Sequence, residues 1–251
     1  MLRLADLHAG PTRCVILSSG GLDSSTLLAL AAQRDREIFA LSFDYGQRHA
    51  VELECADRQA KAVGAAAHEV VDLRPMGRLV SRATALIAGS ELEVPKGGVP
   101  DGDPNARAIP STYVPARNTL FLSYALAWAE ALEAKEIWIG ANALDYSGYP
   151  DCRPDFLEAW ERMARLATRV GVEGEAIALA APLVDLAKHE IVALGHAAGV
   201  DYADTVSCYD PQRGGEGGRV ALACGRCESC ELRRDGFARA GIDDPTRYVA
   251  S

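Results

Sequence analysis

Four cysteines near the end of the chain stand at spacings that suit one metal ion. Cys224, Cys227 and Cys230 recur at every third residue in "ACGRCESCELR", and Cys208 precedes them across the Gly-rich "YDPQRGGEGGRV". Overlapping CxxC pairs put three thiolates around one point, and a loop that folds back supplies the fourth. Such a set suits tetrahedral Zn²⁺; an iron–sulfur cluster or redox thiols are the alternatives. A Cys₄ zinc has no open position. It would be structural, fixing a C-terminal segment that has little apolar core of its own. Cys14 falls in a strand pattern and Cys55 in a helical one, both as core thiols. Cys152 lies in the polar "SGYPDCRPDF", with no histidine nearby in sequence to activate it as a nucleophile.

The second chemical stretch is "RCVILSSGGLDSSTLLAL", residues 13–30. A strand running into Ser19-Gly20-Gly21 and then a helix aims backbone N–H groups and a helix N-terminus at one point, which is an anion site. Glycines allow close approach to a phosphate, and Ser24, Ser25 and Thr26 add hydroxyls. A plain strand-to-helix turn with good caps is the alternative. Neither GxxxxGK[ST] nor GxGxxG is present. "SGGLDSS" instead resembles the PP-loop, SGGxDS, of ATP pyrophosphatases, which cleave ATP between its α and β phosphates. The resemblance implies ATP contacts along Leu17, Ser18, Ser19, Gly20, Gly21, Leu22, Asp23, Ser24, Ser25, Thr26 and Leu27, with the loop cradling departing pyrophosphate. Further positive charge is then needed. If Asp185 caps the helix of "VDLAKHEIV", Lys188 sits in its first turn, a placement unfavourable to a cation unless a polyphosphate lies nearby. Mg²⁺ bound with ATP would supply the rest, held by phosphates and Asp23.

These residues need elements to position them. "CVILS" (14–18), "IFALSFD" (38–44), "AHEVVDL" (67–73) and "EIWIGAN" (136–142) read as buried strands, with helices over 24–34 and from 52 onward. Short apolar strands separated by helices predict a doubly wound parallel sheet. Residues 89–115, rich in Gly, Pro and Asp, read as a lid-like loop. Residues 118–134 are apolar on nearly every side and predict a helix buried in the core or shared with a subunit interface. Phe156, Trp160, Met163, Ala167 and Val170 mark one helical face stopped by Gly171, and 184–199 reads as a last core helix. The boundaries predicted are an α/β core over 1–205 and a zinc-binding extension over 206–251.

The chain has 251 residues, 49% of them hydrophobic, enough to bury a core. A net charge of −9 argues against gripping nucleic acid. The first residues show no secretory signal, and no apolar run approaches the ~18 residues of a membrane span. A cytoplasmic protein is expected, with its seven cysteines as ligands or buried thiols rather than disulfides.

Together, "SGGLDSS", "SFDYGQRHAVELECA", "TYVPARNTLFLS", "GANALDYSGYPDCRPDF", "PLVDLAKHEIV" and "SCY…CGRCESCELRRDGFARAGIDDPTRY" resemble the 7-cyano-7-deazaguanine synthase family, across most of residues 13–248. Ala116 stands where that family's pattern has glycine, and the stretches at 89–110 and between Cys208 and Cys224 are longer. The resemblance implies ATP-dependent conversion of 7-carboxy-7-deazaguanine and ammonia to the nitrile, on a PP-loop (adenine nucleotide alpha hydrolase-like) α/β fold, in a homodimer. It further implies that Tyr45, Tyr113, Tyr146 or Tyr149 stacks on the base and that Arg117 holds the carboxylate. Asp145 or Asp151 would accept from the guanine edge, and His49 would orient a phosphate or cap a helix. A PP-loop tRNA thiolase, a relative that conjugates the acyl group to another amine, and a non-catalytic zinc adaptor are the competing readings.

Overall fold

The computed structural model describes residues 1–97, 109–142, 148–214 and 220–250. In chain order the elements are β1 (Thr12–Leu17), α1 (Leu22–Ala32), β2 (Arg36–Asp44), α2 (Glu52–Ala62), β3 (Ala67–Asp72), α3 (Arg74–Val80) and α4 (Arg117–Ala131). Then follow β4 (Glu136–Trp138), α5 (Pro154–Ala167), α6 (Arg169–Val172), β5 (Ala178–Ala180), α7 (Lys188–Ala197), β6 (Gln212–Gly214), β7 (Val220–Leu222) and α8 (Glu228–Ala240). Five strands form one sheet in the order β3-β2-β1-β4-β5, every pairing parallel.

The central strand explains the two layers. β1 carries no polar residue after Arg13, so both of its faces must be covered. Val15 and Leu17 pack with Leu122, Leu157 and Trp160, from α4 and α5. Cys14 and Ile16 pack with Leu27, Ile191 and Phe237, from α1, α7 and α8. This is the doubly wound parallel sheet expected from the sequence. Its strand order reverses between β1 and β4, and a crevice opens there beyond the carboxyl ends of the strands.

Three expectations need correction. The face of α5 is not the one read from Phe156, Met163, Ala167 and Val170: Met163 and Ala167 are exposed, and Leu157, Trp160, Glu161, Ala164 and Thr168 are buried. A polar residue on the true stripe concealed it, because Glu161 is buried to accept the Leu179 N–H at 3.1 Å. Nor is α4 covered all round, so of its two readings the one wholly buried in the core does not hold. Ser123, Tyr124 and Ala127 face solvent, while Phe121 and Trp128 lie half-buried against Phe43 and Phe39. Finally, α7 is not the last core helix. α8 packs on it and buries Phe237 completely, so the segment after residue 206 shares the apolar core. No helix among the described residues is long and apolar enough to cross a membrane.

Candidate functional site

A cavity of about 220 Å³ fills the crevice between β1 and β4. Residues 17–19 and 21–24 line it. The turn is held by its own groups: the Ser18 N–H donates to Leu41 O at 2.8 Å, and the Ser19 N–H to Ser24 Oγ at 3.2 Å. Ser24 Oγ also donates to Gly21 O at 3.2 Å. Gly20 has φ +79°, and a Cβ there would lie 2.1 Å from Glu52 O and 2.6 Å from Ala56 N. This glycine is therefore demanded by contact with the backbone of α2, and not only by access to a ligand. Ser18 Oγ is buried with no partner among the described residues, a hydroxyl still available to an incoming oxygen.

The rest of the stretch turns away from the cavity. Thr26 Oγ1 donates to Leu22 O and pairs with Tyr202 OH at 2.8 Å, and Leu27 is wholly buried in the core. Gly20, Ser25, Thr26 and Leu27 are not among the lining residues. The periodicity of α1 explains this: Asp23 and Ser24 face the crevice, and the next residues rotate toward α7.

Lys188 reaches the cavity from α7. Its Nζ donates to both carboxylate oxygens of Asp23, at 2.9 Å each, and the side chain is 8% exposed. Asp185 does not cap this helix. It pairs with Arg3, and Glu190 instead accepts the Ala187 N–H at 2.8 Å. Lys188 is thus the first residue of α7 and is buried. Its stem passes over Gly236, where a Cβ would come within 2.5 Å of Lys188 Cγ.

Arg117, the first residue of α4, also lines the cavity; it donates to Tyr45 OH at 3.4 Å and lies 6.0 Å from the Phe121 ring centroid. Tyr45 is buried and its phenol is pushed up to about 12 by burial. Tyr149 bonds Thr112 Oγ1 at 2.7 Å and Tyr209 OH at 3.2 Å. Tyr113 does not line the cavity: its hydroxyl accepts the Ala116 N–H at 3.0 Å. Asp151 is likewise committed elsewhere, accepting the Asn118 N–H at 2.9 Å at the start of α4. Cys152 borders the cavity, but burial pushes its thiol up to about 12, far from a thiolate nucleophile. Asp145 and Tyr146 lie outside the described residues.

Several lining residues besides His49, which was expected to orient a phosphate or cap a helix, were not singled out from the sequence. Phe43 stacks on Phe121 with ring centroids 3.9 Å apart, forming a flat apolar wall. Glu52 is buried on α2; burial pushes its carboxyl up to about 8, against a lowering by the Gln47 hydrogen bond and the Arg117 charge. His49 is pushed down to about 4, by burial first and by Arg117 second, so its ring is neutral. Ser207, Tyr209, Ser229 and Arg233 come from the cysteine segment. Arg233 is buried, donating to Thr205 Oγ1 at 2.8 Å, Tyr202 O at 2.9 Å and Asp244 Oδ1 at 3.2 Å. Tyr209 and Ser229 were readable only as immediate neighbours of ligand-spaced cysteines.

The Sγ atoms of Cys208, Cys224, Cys227 and Cys230 are all buried and lie within 4.8 Å of one another. A tetrahedral zinc with Zn–S of ~2.3 Å needs sulfurs about 3.8 Å apart, so the cluster can hold a metal such as zinc. Backbone N–H groups already face the sulfurs, from Cys224 to Cys208 Sγ at 3.2 Å and from Asp210 to Cys208 Sγ at 3.3 Å. Hydrogen bonds shared among the thiols hold Cys227 well below its ordinary range and push Cys208 well above it.

A parallel sheet with a glycine turn at its switch point, and a thiol cluster beside the same crevice, defines an α/β protein of the PP-loop kind. The model of the family "Queuosine biosynthesis protein QueC" matches residues 13–241. Over 240 residues the chain is 53% identical to the 7-cyano-7-deazaguanine synthase of Desulfatibacillum aliphaticivorans, covering 94% of this chain and 97% of that protein. It is 54% identical over 238 residues to the enzyme of that name from Geobacter sp. (strain M21), with 94% and 97% covered. The Pseudomonas putida enzyme of the same name is 52% identical over 236 residues, with 94% and 98% covered. The chain belongs to the QueC family.

Proposed function

We propose that this protein converts 7-carboxy-7-deazaguanine and ammonia to 7-cyano-7-deazaguanine at the expense of ATP, as a carbon–nitrogen ligase of queuosine biosynthesis. The observation that carries this reading is the glycine turn at the head of a cavity that Arg117 and Lys188 also line, in a chain of this family.

A carboxylate does not react with ammonia until one of its oxygens becomes a leaving group. Transfer of AMP to that oxygen achieves this, and attack by ammonia then gives the amide. The amide oxygen leaves no more readily, so it too is adenylated before the nitrile forms. Each carboxylate oxygen departs on one AMP, and two ATP yield two AMP and two pyrophosphate. Catalysis rests on position and charge. The free donors of residues 18–24 receive the departing pyrophosphate, and Lys188 turns from Asp23 to the phosphates as they arrive. Asp23 and the phosphates would hold the Mg²⁺ that comes with ATP, which would neutralise phosphate charge. Arg117 offers the substrate carboxylate a two-pronged donor, and the Phe43–Phe121 wall with Tyr45 and Tyr149 suits a flat base.

The four cysteines would hold zinc with no open position, so the ion shapes the wall formed by Ser207, Tyr209 and Ser229 and takes no chemical step. The extension over 206–251 serves this end, and a cytoplasmic homodimer is the assembly that accompanies the reading. Incubation with carboxydeazaguanine, ammonium and Mg-ATP, followed by mass analysis, tests it. AMP and the nitrile are expected. ADP, no turnover, or the acyl group found on another amine would refute it.

A further inference from the structure

Forming a nitrile strips every proton from the incoming nitrogen, yet no group considered so far can accept one. Arg117 and Lys188 are cations, Asp23 is engaged by Lys188 or, once Lys188 turns to the phosphates, by the Mg²⁺ that comes with them, the Cys152 thiol stays protonated, and burial makes the neutral His49 ring a weak base. Glu52 differs. It lines the cavity, and only one of its carboxylate oxygens is engaged: Oε1 accepts from Gln47 Nε2 at 3.2 Å and lies 3.5 Å from His49 Nε2. Oε2 has no hydrogen-bond partner among the described residues.

Its position also matches the task. The main chain of Glu52 touches Gly20 from behind, where a Cβ on Gly20 would lie 2.1 Å from Glu52 O. The carboxyl is close enough to Arg117 to feel its charge. Glu52 therefore lines the same cavity as the turn proposed to receive pyrophosphate and the guanidinium proposed to hold the acid.

We propose that Glu52 is a catalytic residue, the general base that takes protons from the nitrogen in both halves of the reaction; this rests on the function proposed above. In the first half, the ammonia lone pair forms the C–N bond to the acyl carbon. The nitrogen passes a proton to Oε2, and the C–O bond to AMP breaks with its electron pair on the AMP oxygen. In the second half, one nitrogen proton leaves as the amide oxygen takes up AMP, giving the neutral adenylated imidate, and the last one then passes from that nitrogen to Oε2. Those electrons complete the C≡N bond as the second AMP leaves with its oxygen. The proton is released to solvent between steps. Burial pushes the carboxyl up to about 8, which suits a group that must accept a proton near neutrality and lose it again.

The test is Glu52→Gln, which keeps shape and removes the basic oxygen. Three measurements are made on wild type and variant: acid-dependent exchange of labelled pyrophosphate into ATP, nitrile formation from acid plus ammonium, and nitrile formation from the preformed amide. The variant should keep exchange within about threefold and lose both nitrile-forming reactions by roughly 10²–10⁴-fold, the range for loss of a general base. Glu52→Asp should recover part of that loss. Exchange falling in parallel would make Glu52 a binding or structural residue and overturn the proposal. So would loss confined to the ammonium reaction, which marks an ammonia-docking group. If wild type shows no acid-dependent exchange, the functional reading itself fails, and this proposal with it.

Discussion

The phosphate turn and the cysteine knuckle border one cavity but are shaped by different forces. The turn over residues 18–24 is fixed by hydrogen bonds within itself, by β2, and by backbone packed directly on α2. The knuckle over residues 207–230 draws four thiols to within 4.8 Å, an arrangement that only a shared ligand makes favourable. The turn carries its shape in the chain; the knuckle has the geometry to hold a metal. The two should therefore fail differently.

The largest effect is expected where two backbones touch. Gly20→Ala sets a methyl 2.1 Å from a carbonyl oxygen at a left-handed φ, and should cost on the order of 4 kcal/mol. Gly21→Ala meets nothing nearer than 3.3 Å and should cost less than about 1 kcal/mol, while crowding a phosphate. Denaturant unfolding of the pair checks this. Equal stabilities would break the claim that the turn is built by packing.

Metal removal comes next and probes the other side of the comparison. The protein should be colourless, carry one zinc per chain by elemental analysis, and lose at least about tenfold in turnover when stripped, as the cavity wall loosens. Hydrogen exchange should rise over residues 207–227 and stay low around Phe237, whose burial on α7 does not depend on the ion. A wholly unfolded C-terminal segment would show that α8 contributes no independent packing.

What was legible in the sequence divides along the same line. Strands β1 to β4, the glycine turn and the four cysteines announce themselves through local pattern and spacing. Arg117, Lys188 and Asp23, which line the cavity, were picked out because they sit in distinctive stretches. Glu52 and Arg233 were not, because a charged residue in a helical pattern looks the same whether it faces water or a cavity. Thr26 shows the converse: a hydroxyl beside a phosphate turn looks like a ligand, and the helix turns it onto Tyr202. The face of α5 slipped because Glu161, a buried polar residue, broke the apolar stripe.

Two substitutions in the cavity sharpen the comparison further. Lys188→Met leaves Asp23 facing the triphosphate without its cation, and kcat should fall by roughly 10²–10³-fold; unchanged ATP consumption would remove Lys188 from the phosphate site. Glu52→Gln should also alter stability with pH. The folded carboxyl is raised to about 8, so the stability of the neutral form is fully present below the ordinary carboxyl range and drains away as pH rises through 8. The groups facing it are His49, Gln47 and Arg117. Glutamine cannot ionise, so the Tm of the variant should gain on wild type between pH 5 and 9. Parallel curves would mean that the carboxyl is better solvated than its burial indicates.

The smallest effect concerns a third turn, made with neither glycine nor ligand. Ala116 caps α4 at φ +55°, in the left-handed region, with its side chain exposed and its N–H held by Tyr113 OH at 3.0 Å. Glycine is expected here from the family pattern, and the backbone shows why: an L-residue in this conformation carries a strain of ~1 kcal/mol, which glycine relieves at some cost in unfolded-chain entropy. Ala116→Gly should therefore stabilise the protein by about 0.5 kcal/mol, read as a shift in denaturant midpoint with the slope unchanged. A loss of stability would mean that the Tyr113 bond and the packing of α4 set this turn, and that the alanine costs nothing. The sign separates a turn strained by its residue from one, like that at Gly20, in which the residue is dictated by what lies behind it.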